Sequence, residues 1–278
     1  MASTNPAGLH IQNLTAGYGI THHDSKNILH NISFTCAHGT LTGILGANGC
    51  GKTTLLKAVC GLLPHTGHCT LDATSLDGLS ARKTATLCSY IPQRSGISID
   101  ISVLDVVCMG FNPKLGLLER PSAAMYAKAE EALRLVNLNT HLHDNFQTLS
   151  EGEKQLCILA RTLVSDSRLL LLDEPESALD LQHRHQLLTL LRHRITQGSP
   201  SPKDCLGLIT LHDPALALNY CDRLLVLDHG ELLGTLEPRR DSLPQMESLL
   251  SKIYGSVTLT TCKDSHGRTH LVLLKTNI

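Results

Sequence analysis

The stretch that most constrains this chain is Gly46-Ala47-Asn48-Gly49-Cys50-Gly51-Lys52-Thr53-Thr54, which fits the pattern G-x-x-x-x-G-K-[ST]. It lies between an apolar run (Leu41, Ile44, Leu45) and a helical pattern (Leu55, Leu56, Ala58, Val59). Strand, glycine-rich turn and helix are the context this motif requires. The glycines let the backbone curl so that successive N–H groups converge on a polyphosphate, with the positive end of the following helix behind them. Lys52 would reach the β- and γ-phosphates, and the Thr53 hydroxyl would bind Mg²⁺. A glycine-rich turn beside a surface lysine is the structural alternative, but it leaves the two flanking elements unexplained.

A second chemical feature is the run Leu169-Leu170-Leu171-Leu172-Asp173-Glu174. A continuous apolar strand suits a parallel sheet covered on both faces, and ligands bind beyond the carboxyl ends of such strands. There Asp173 would hold Mg²⁺ through water, and Glu174 would polarise an attacking water as general base.

Around these anchors the chain reads as alternating strands and helices. Leu9 to Leu14 and Ile28 to Cys36 are expected strands, forming an antiparallel edge sheet ahead of the phosphate loop. The helix after the loop is expected to stop near Gly61 and Pro64, and Thr86 to Ile91 to form a short strand. From Arg94 to Thr148 the character turns helical: Ser102 to Met109, then a helix opened by Ser122 with Ala129, Ala132, Leu133 and Val136 on one face. Ser150-Glu151-Gly152-Glu153 opens another helix and reads as an S-x-x-E capping box. A helix with Leu187, Leu191 and Ile195 in step closes near Gly198, followed by a loop at Ser199-Pro200-Ser201-Pro202 and a buried strand from Leu206 to Leu211. Asp228-His229-Gly230 marks a hairpin, Met246 to Tyr254 a short helix, and Gly267 a second hairpin. The expected fold is α/β, with a mostly parallel sheet wrapped on both sides.

With 278 residues, 42% of them hydrophobic, a full core is within reach. A net charge of −1 gives no global field for holding nucleic acid, so no nucleic-acid partner is expected. The start, Met1-Ala2-Ser3-Thr4-Asn5-Pro6, lacks signal-peptide character, and no apolar run nears the roughly 18 residues of a spanning helix. A soluble, intracellular chain is expected. The ten cysteines form no C-x-x-C pair and are read as buried, reduced thiols. The sixteen histidines, including His22-His23-Asp24, His141-x-His143 and His183-x-His185, are read as solvated surface, because no spacing matches a metal motif. Cys50, at a helix N-terminus, is expected to be an activated thiol whose alkylation blocks the chemistry of the loop.

With these residues in view, the chain resembles the ATP-binding cassette ATPases over nearly its whole length. Leu149-Ser150-Glu151-Gly152-Glu153-Lys154-Gln155 resembles the signature motif that separates this family from other phosphate-loop ATPases and disfavours a kinase. The resemblance implies a phosphate-loop NTPase core, an N-terminal antiparallel β subdomain and a helical insertion. It implies a head-to-tail dimer with a second copy of the chain, sandwiching two ATP molecules, in which Ser150, Glu151, Gly152 and Glu153 act in trans. By the same resemblance Gln93 is the hinge glutamine that senses Mg²⁺. Ser177-Ala178-Leu179-Asp180 is the loop crossing the dimer interface, His212 the switch histidine at the γ-phosphate, and Tyr18 the ring stacked on adenine. Glu151 and Glu176 depart from the usual pattern and add negative charge near a polyanionic ligand if they point inward.

Met109-Gly110-Phe111-Asn112-Pro113, Pro121-Ser122 and the hairpin after Tyr254-Gly255 resemble the cassette subunits of bacterial importers for iron-siderophore, haem and cobalamin. This implies a multi-span membrane permease as partner and, indirectly, an extracytoplasmic substrate-binding protein. The chain would then be peripheral, on the cytoplasmic side of the cell membrane. One cassette domain, 1–278, is expected, with about 1–93 and 150–230 as core, about 94–149 as helical subdomain and about 231–278 as extension. The rival reading is a soluble cassette ATPase of metal-cluster assembly, translation or repair.

Overall fold

The computed structural model describes residues 7–19, 26–93, 96–116, 118–197 and 205–275. The expectations for Met1 to Pro6, His22-His23-Asp24, Arg94, Gly198 and Ser199 to Pro202 lie outside the described residues. Two compact units are present, Met1–Leu79 with Leu206–Ile278, and Ser80–Cys205.

In the first unit β1 (Leu9–Tyr18) and β2 (Lys26–Cys36) pair antiparallel, Leu9 opposite Cys36 and Tyr18 opposite Lys26. Leu9, Ile11, Leu14 and Ala16 of β1 are buried. The step from Ile11 to Leu14 breaks strict alternation, and a register shift there, with Asn13 at φ 51°, keeps both on the core face. β3 (Leu41–Leu45) is buried at every position and leads through the phosphate loop into α1 (Lys52–Val59). That helix ends as its stop signal predicts, with Gly61 at φ 70°. β4 (His65–Leu71) and β5 (Thr74–Ser75) then extend the first sheet to the order β2-β1-β4-β5.

The second unit begins with α2 (Ala81–Leu87), capped by the Ser80 hydroxyl accepting from Lys83 N–H, and β6 (Cys88–Ile91). Thr86 and Leu87 thus belong to a helix and not to the expected strand. A cap followed by good helix formers outweighs the short apolar run. α3 (Val103–Cys108), α4 (Ala123–Leu135) and α5 (Glu151–Val164) pack through Val103, Val106, Val107, Ala129, Ala132, Leu133 and Cys157, all buried. β7 (Leu169–Asp173) lies parallel to β6, with Ile91 opposite Leu172, and α6 (Leu181–Gln197) follows.

Back in the first unit, β8 (Leu206–Thr210), α7 (Pro214–Tyr220), β9 (Arg223–Asp228) and β10 (Glu231–Leu236) complete a sheet in which β3 pairs parallel with both β8 and β9. The β9–β10 turn is the expected hairpin, with His229 at φ 44° and Gly230 at φ 81°. α8 (Leu243–Tyr254) starts three residues before its expected bound, since Gln245 accepts from the Ser242 N–H. β11 (Val257–Lys263) and β12 (Thr269–Lys275) form the second expected hairpin. Asn219 fastens α7 to β12 by exchanging two hydrogen bonds of 2.9 Å with the Leu271 backbone. No described helix is long and apolar enough to cross a membrane.

Candidate functional site

In the first unit the phosphate loop joins the carboxyl end of β3 to the amino end of α1. Gly49 and Gly51 adopt φ of 80° and 109°, which L side chains rarely reach. Gly46 is fixed for a different reason. A Cβ there would lie 2.3 Å from the Leu227 carbonyl oxygen and 2.5 Å from the Cys50 sulfur. The Lys52 Nζ folds back to donate to the Gly46 carbonyl at 2.9 Å and the Ala47 carbonyl at 3.3 Å, so the ammonium is held over the loop. α1 has no acidic residue in its first turn and no side-chain cap, which leaves its positive end open toward the loop formed by Ala47, Asn48 and Cys50. Thr53 and Thr54 stand in that first turn, with Thr54 buried.

Cys50 does not match its expectation. It is 5% exposed, and burial pushes its thiol above the ordinary value although the Lys52 charge pulls the other way. The helix terminus is too weak a field to offset the lost hydration.

His212 is exposed and stands just beyond β8. Because Ile44 of β3 is opposite Thr210 of β8, the histidine and the phosphate loop leave the carboxyl ends of adjacent parallel strands. Asp213 next to it caps α7, accepting from Ala215 N–H at 2.8 Å. Tyr18, at the end of β1, is 46% exposed.

The second unit holds the carboxylates. Asp173 ends β7 and is 3% exposed, and the Tyr90 hydroxyl donates to its Oδ2 at 3.3 Å. Sequence reasoning passed over Tyr90, because nothing marks one aromatic in a short strand as the partner of a distant carboxylate. Gln93 Nε2 donates to Glu174 Oε2 at 2.9 Å. Glu174 sits at φ 45°, a sparsely allowed conformation for a side chain of its size. The parallel register of β6 and β7 brings these two together. Threonine hydroxyl, carboxylate and amide oxygens are hard donors of the kind Mg²⁺ takes, so Thr53, Asp173 and Gln93 fit that ion chemically.

Also in this unit, Ser150 caps α5 in a complete capping box. Its hydroxyl accepts from Glu153 N–H at 3.3 Å, and Glu153 Oε2 accepts from Ser150 N–H at 2.8 Å and from its hydroxyl at 2.7 Å. These bonds hold the Glu153 carboxyl below its usual range. A Cβ on Gly152 would lie 3.4 Å from the Ala178 carbonyl oxygen, so the signature turn rests against the loop Ser177 to Asp180. That loop is shaped by Ser177 N–H donating to the Glu174 carbonyl and by the buried Leu179. Asp180 caps α6 by accepting from His183 N–H at 2.9 Å. The two unusual glutamates differ: Glu151 is exposed and pairs with Lys154 at 2.8 Å, whereas Glu176 is 2% exposed.

The family described as ABC transporter matches residues 29–177. A hemin import ATP-binding protein HmuV of Bordetella parapertussis is 35% identical over 259 residues, covering 89% of this chain and 92% of its own. An iron chelatin transport ATP-binding protein of Helicobacter pylori is 33% identical over 226 residues, covering 81% and 85%. A solved structure, an inward-facing metal-chelate type ABC transporter, is similar with a TM-score of 0.76 and 25% identity, covering 97% of this chain and 98% of that one. A phosphate loop, an apolar strand ending in two carboxylates and a signature-like capped helix thus occur together in a chain that belongs to the ABC transporter family, as one of its ATP-binding subunits.

Proposed function

We propose that this chain is the ATP-hydrolysing subunit of a bacterial importer, powering uptake of an iron-siderophore, haem, cobalamin or similar metal chelate through a separate multi-span permease. The relatives named for haem and iron chelatin support the cargo class. The chain works at the cytoplasmic face of the membrane, paired with a second copy, and a binding protein delivers cargo on the far side. The observation that carries the reading is the presence in one chain of a lysine-primed phosphate loop and a serine-capped signature helix.

In this reading residues 1–278 are one cassette, with 94–149 as helical subdomain and 231–278 as extension. Lys52 and the loop N–H groups hold the β- and γ-phosphates, and Tyr18 stacks on adenine. Mg²⁺, held by Thr53, Asp173 and Gln93, supplies charge neutralisation on the phosphates when bound. Glu174, kept in place by Gln93, orients and deprotonates the attacking water, and His212 contacts the γ-phosphate. Ser150 and Gly152 meet the nucleotide of the partner subunit, beside the Ser177 to Asp180 loop.

The test is co-purification together with nucleotide binding. The wild-type chain is expected to sediment with membranes in complex with a multi-span protein, and Lys52→Ala to lose ATP binding while staying folded. Recovery only in the soluble fraction with other partners would support the metal-cluster, translation or repair reading instead.

A further inference from the structure

The β4–β5 hairpin holds a cluster that the nucleotide chemistry does not use. His65 Nε2 lies 3.1 Å from Asp77 Oδ1 and 3.6 Å from Cys69 Sγ, and the ligand atoms of all three lie within 4.8 Å of one another. On the other side of the carboxylate, His68 Nδ1 is 3.6 Å from Asp77 Oδ2. Cys69 is fully buried, His65 nearly so and Asp77 partly, while His68 is exposed.

The backbone explains how the three residues converge. His65 and Cys69 are four apart on one strand and so share a face. Gly67, at φ 88°, lies where the β1–β4 register slips between Gln12 and Thr15, and a Cβ there would lie 2.4 Å from the Asn13 carbonyl oxygen. The extra residue lies on β1, so β4 keeps its alternation through Gly67, with His65 and Cys69 on the inner face and His68 on the outer. The tight Asp72-Ala73 turn, both at positive φ, returns the chain so that the Asp77 carboxylate accepts from the Cys69 N–H.

Ordinary hydrogen bonding accounts for this arrangement only in part. One imidazole nitrogen has a single proton or a single lone pair to offer, yet a sulfur and a carboxylate oxygen both approach Nε2. Convergence of N, S and O on one point is what a metal ion demands. Tetrahedral zinc, with bonds of about 2.0 to 2.3 Å, sets neighbouring ligand atoms roughly 3.3 to 3.6 Å apart. The separations from Nε2 are close to that spacing.

We propose that His65, Cys69 and Asp77, with a water as fourth ligand, form a tetrahedral site for zinc or a similar borderline divalent ion in the antiparallel β sheet. Mixed imidazole, thiolate and carboxylate donors select such ions over Mg²⁺ or Ca²⁺. Burial and Asp77 push the Cys69 thiol up to about 12, so the metal-free chain holds a thiol, and binding releases its proton to solvent as the metal–sulfur bond forms. The site is separate from the phosphate loop and independent of the transport reading.

The test is cobalt(II) titration of the reduced full-length chain, purified without a histidine tag and free of nucleotide. The expected result is one equivalent bound with tetrahedral visible absorption and a thiolate-to-cobalt charge-transfer band, both abolished by added zinc. Cys69→Ser should lose the charge-transfer band and weaken zinc binding by more than about 100-fold. Cys262→Ser, which removes the exposed thiol, should change neither. Unaltered ATP affinity in Cys69→Ser would show that it folds; if it does not fold, Asp77→Asn takes its place with the same expected loss of affinity. A wild-type spectrum lacking the thiolate band, or a folded Cys69→Ser or Asp77→Asn variant that binds zinc as tightly as wild type, would overturn the proposal.

Discussion

At the scale of single residues, the site is a set of side chains held in positions that cost something. Glu174 occupies a left-handed backbone conformation and is steadied by Gln93. Such strain persists where its surroundings over-determine it. Glu174→Gln removes the base while keeping size and hydrogen bonding, so ATP affinity should remain within about 3-fold while turnover falls about 100-fold or more. Nucleotide titration and phosphate release measure the two separately. Equal loss in both would move Glu174 from base to ligand. Gly46→Ala tests the cradle, because its new methyl meets the Leu227 carbonyl at 2.3 Å and the loop must shift. ATP affinity should drop with little change in melting temperature. At Cys50, burial and a raised pKa predict slow alkylation, so iodoacetamide on the native protein should label Cys262 and leave Cys50, as peptide mass spectrometry would read.

At the scale of elements, caps and turns decided which parts could be read from sequence. Gly46 to Thr54, Ser122, Ser150 and the Asp228-His229-Gly230 turn each carry local chemistry strong enough to fix a boundary, and each stands where its residues predict. β4 escaped notice because His-Thr-Gly-His-Cys-Thr-Leu shows no clean apolar alternation: its pairing to β1, with the register slip opposite Gly67, is imposed by the sheet. The His65, Cys69 and Asp77 cluster was invisible because only the return of the hairpin brings Asp77 to the other two. The capping box of α5 offers a measurable energy. Ser150→Ala should destabilise the nucleotide-free chain by about 1 kcal/mol, or about 2–4 °C in melting temperature. The Glu153 carboxyl is depressed by the bonds from Ser150. Its contribution is therefore complete above the ordinary glutamate value of 4.5 and lost as pH falls through the lower folded value. The stability gap between wild type and Ser150→Ala should accordingly narrow on acidification below that ordinary value. A gap independent of pH would assign the loss to the serine bond alone.

At the scale of the whole molecule, the reading requires two copies. The proposed half-sites are distinct surfaces of one chain: the open phosphate loop, and the exposed Ser150 with Gly152 beside the Ala178 carbonyl. A surface that meets a different surface of its twin closes into a pair only if the two contacts are related by a two-fold axis, so both nucleotides must be shared at once. ATP is then part of the interface, and dimerisation follows its concentration by mass action. Glu174→Gln with Mg²⁺ and ATP should therefore run at twice the 30.1 kDa of one chain, and wild type with ADP at the single mass. Adding Gly152→Asp to that variant places a carboxylate against a polyphosphate already carrying several negative charges, and repulsion at contact distance outweighs what one interface contact can offset. The double variant should bind ATP with unchanged affinity yet stay monomeric in light scattering. A dimer that survives the added charge would detach the signature segment from the partner's nucleotide. Loss of ATP binding by the isolated monomer would place Gly152 at the chain's own phosphates, and either result would require a different pairing of the two copies.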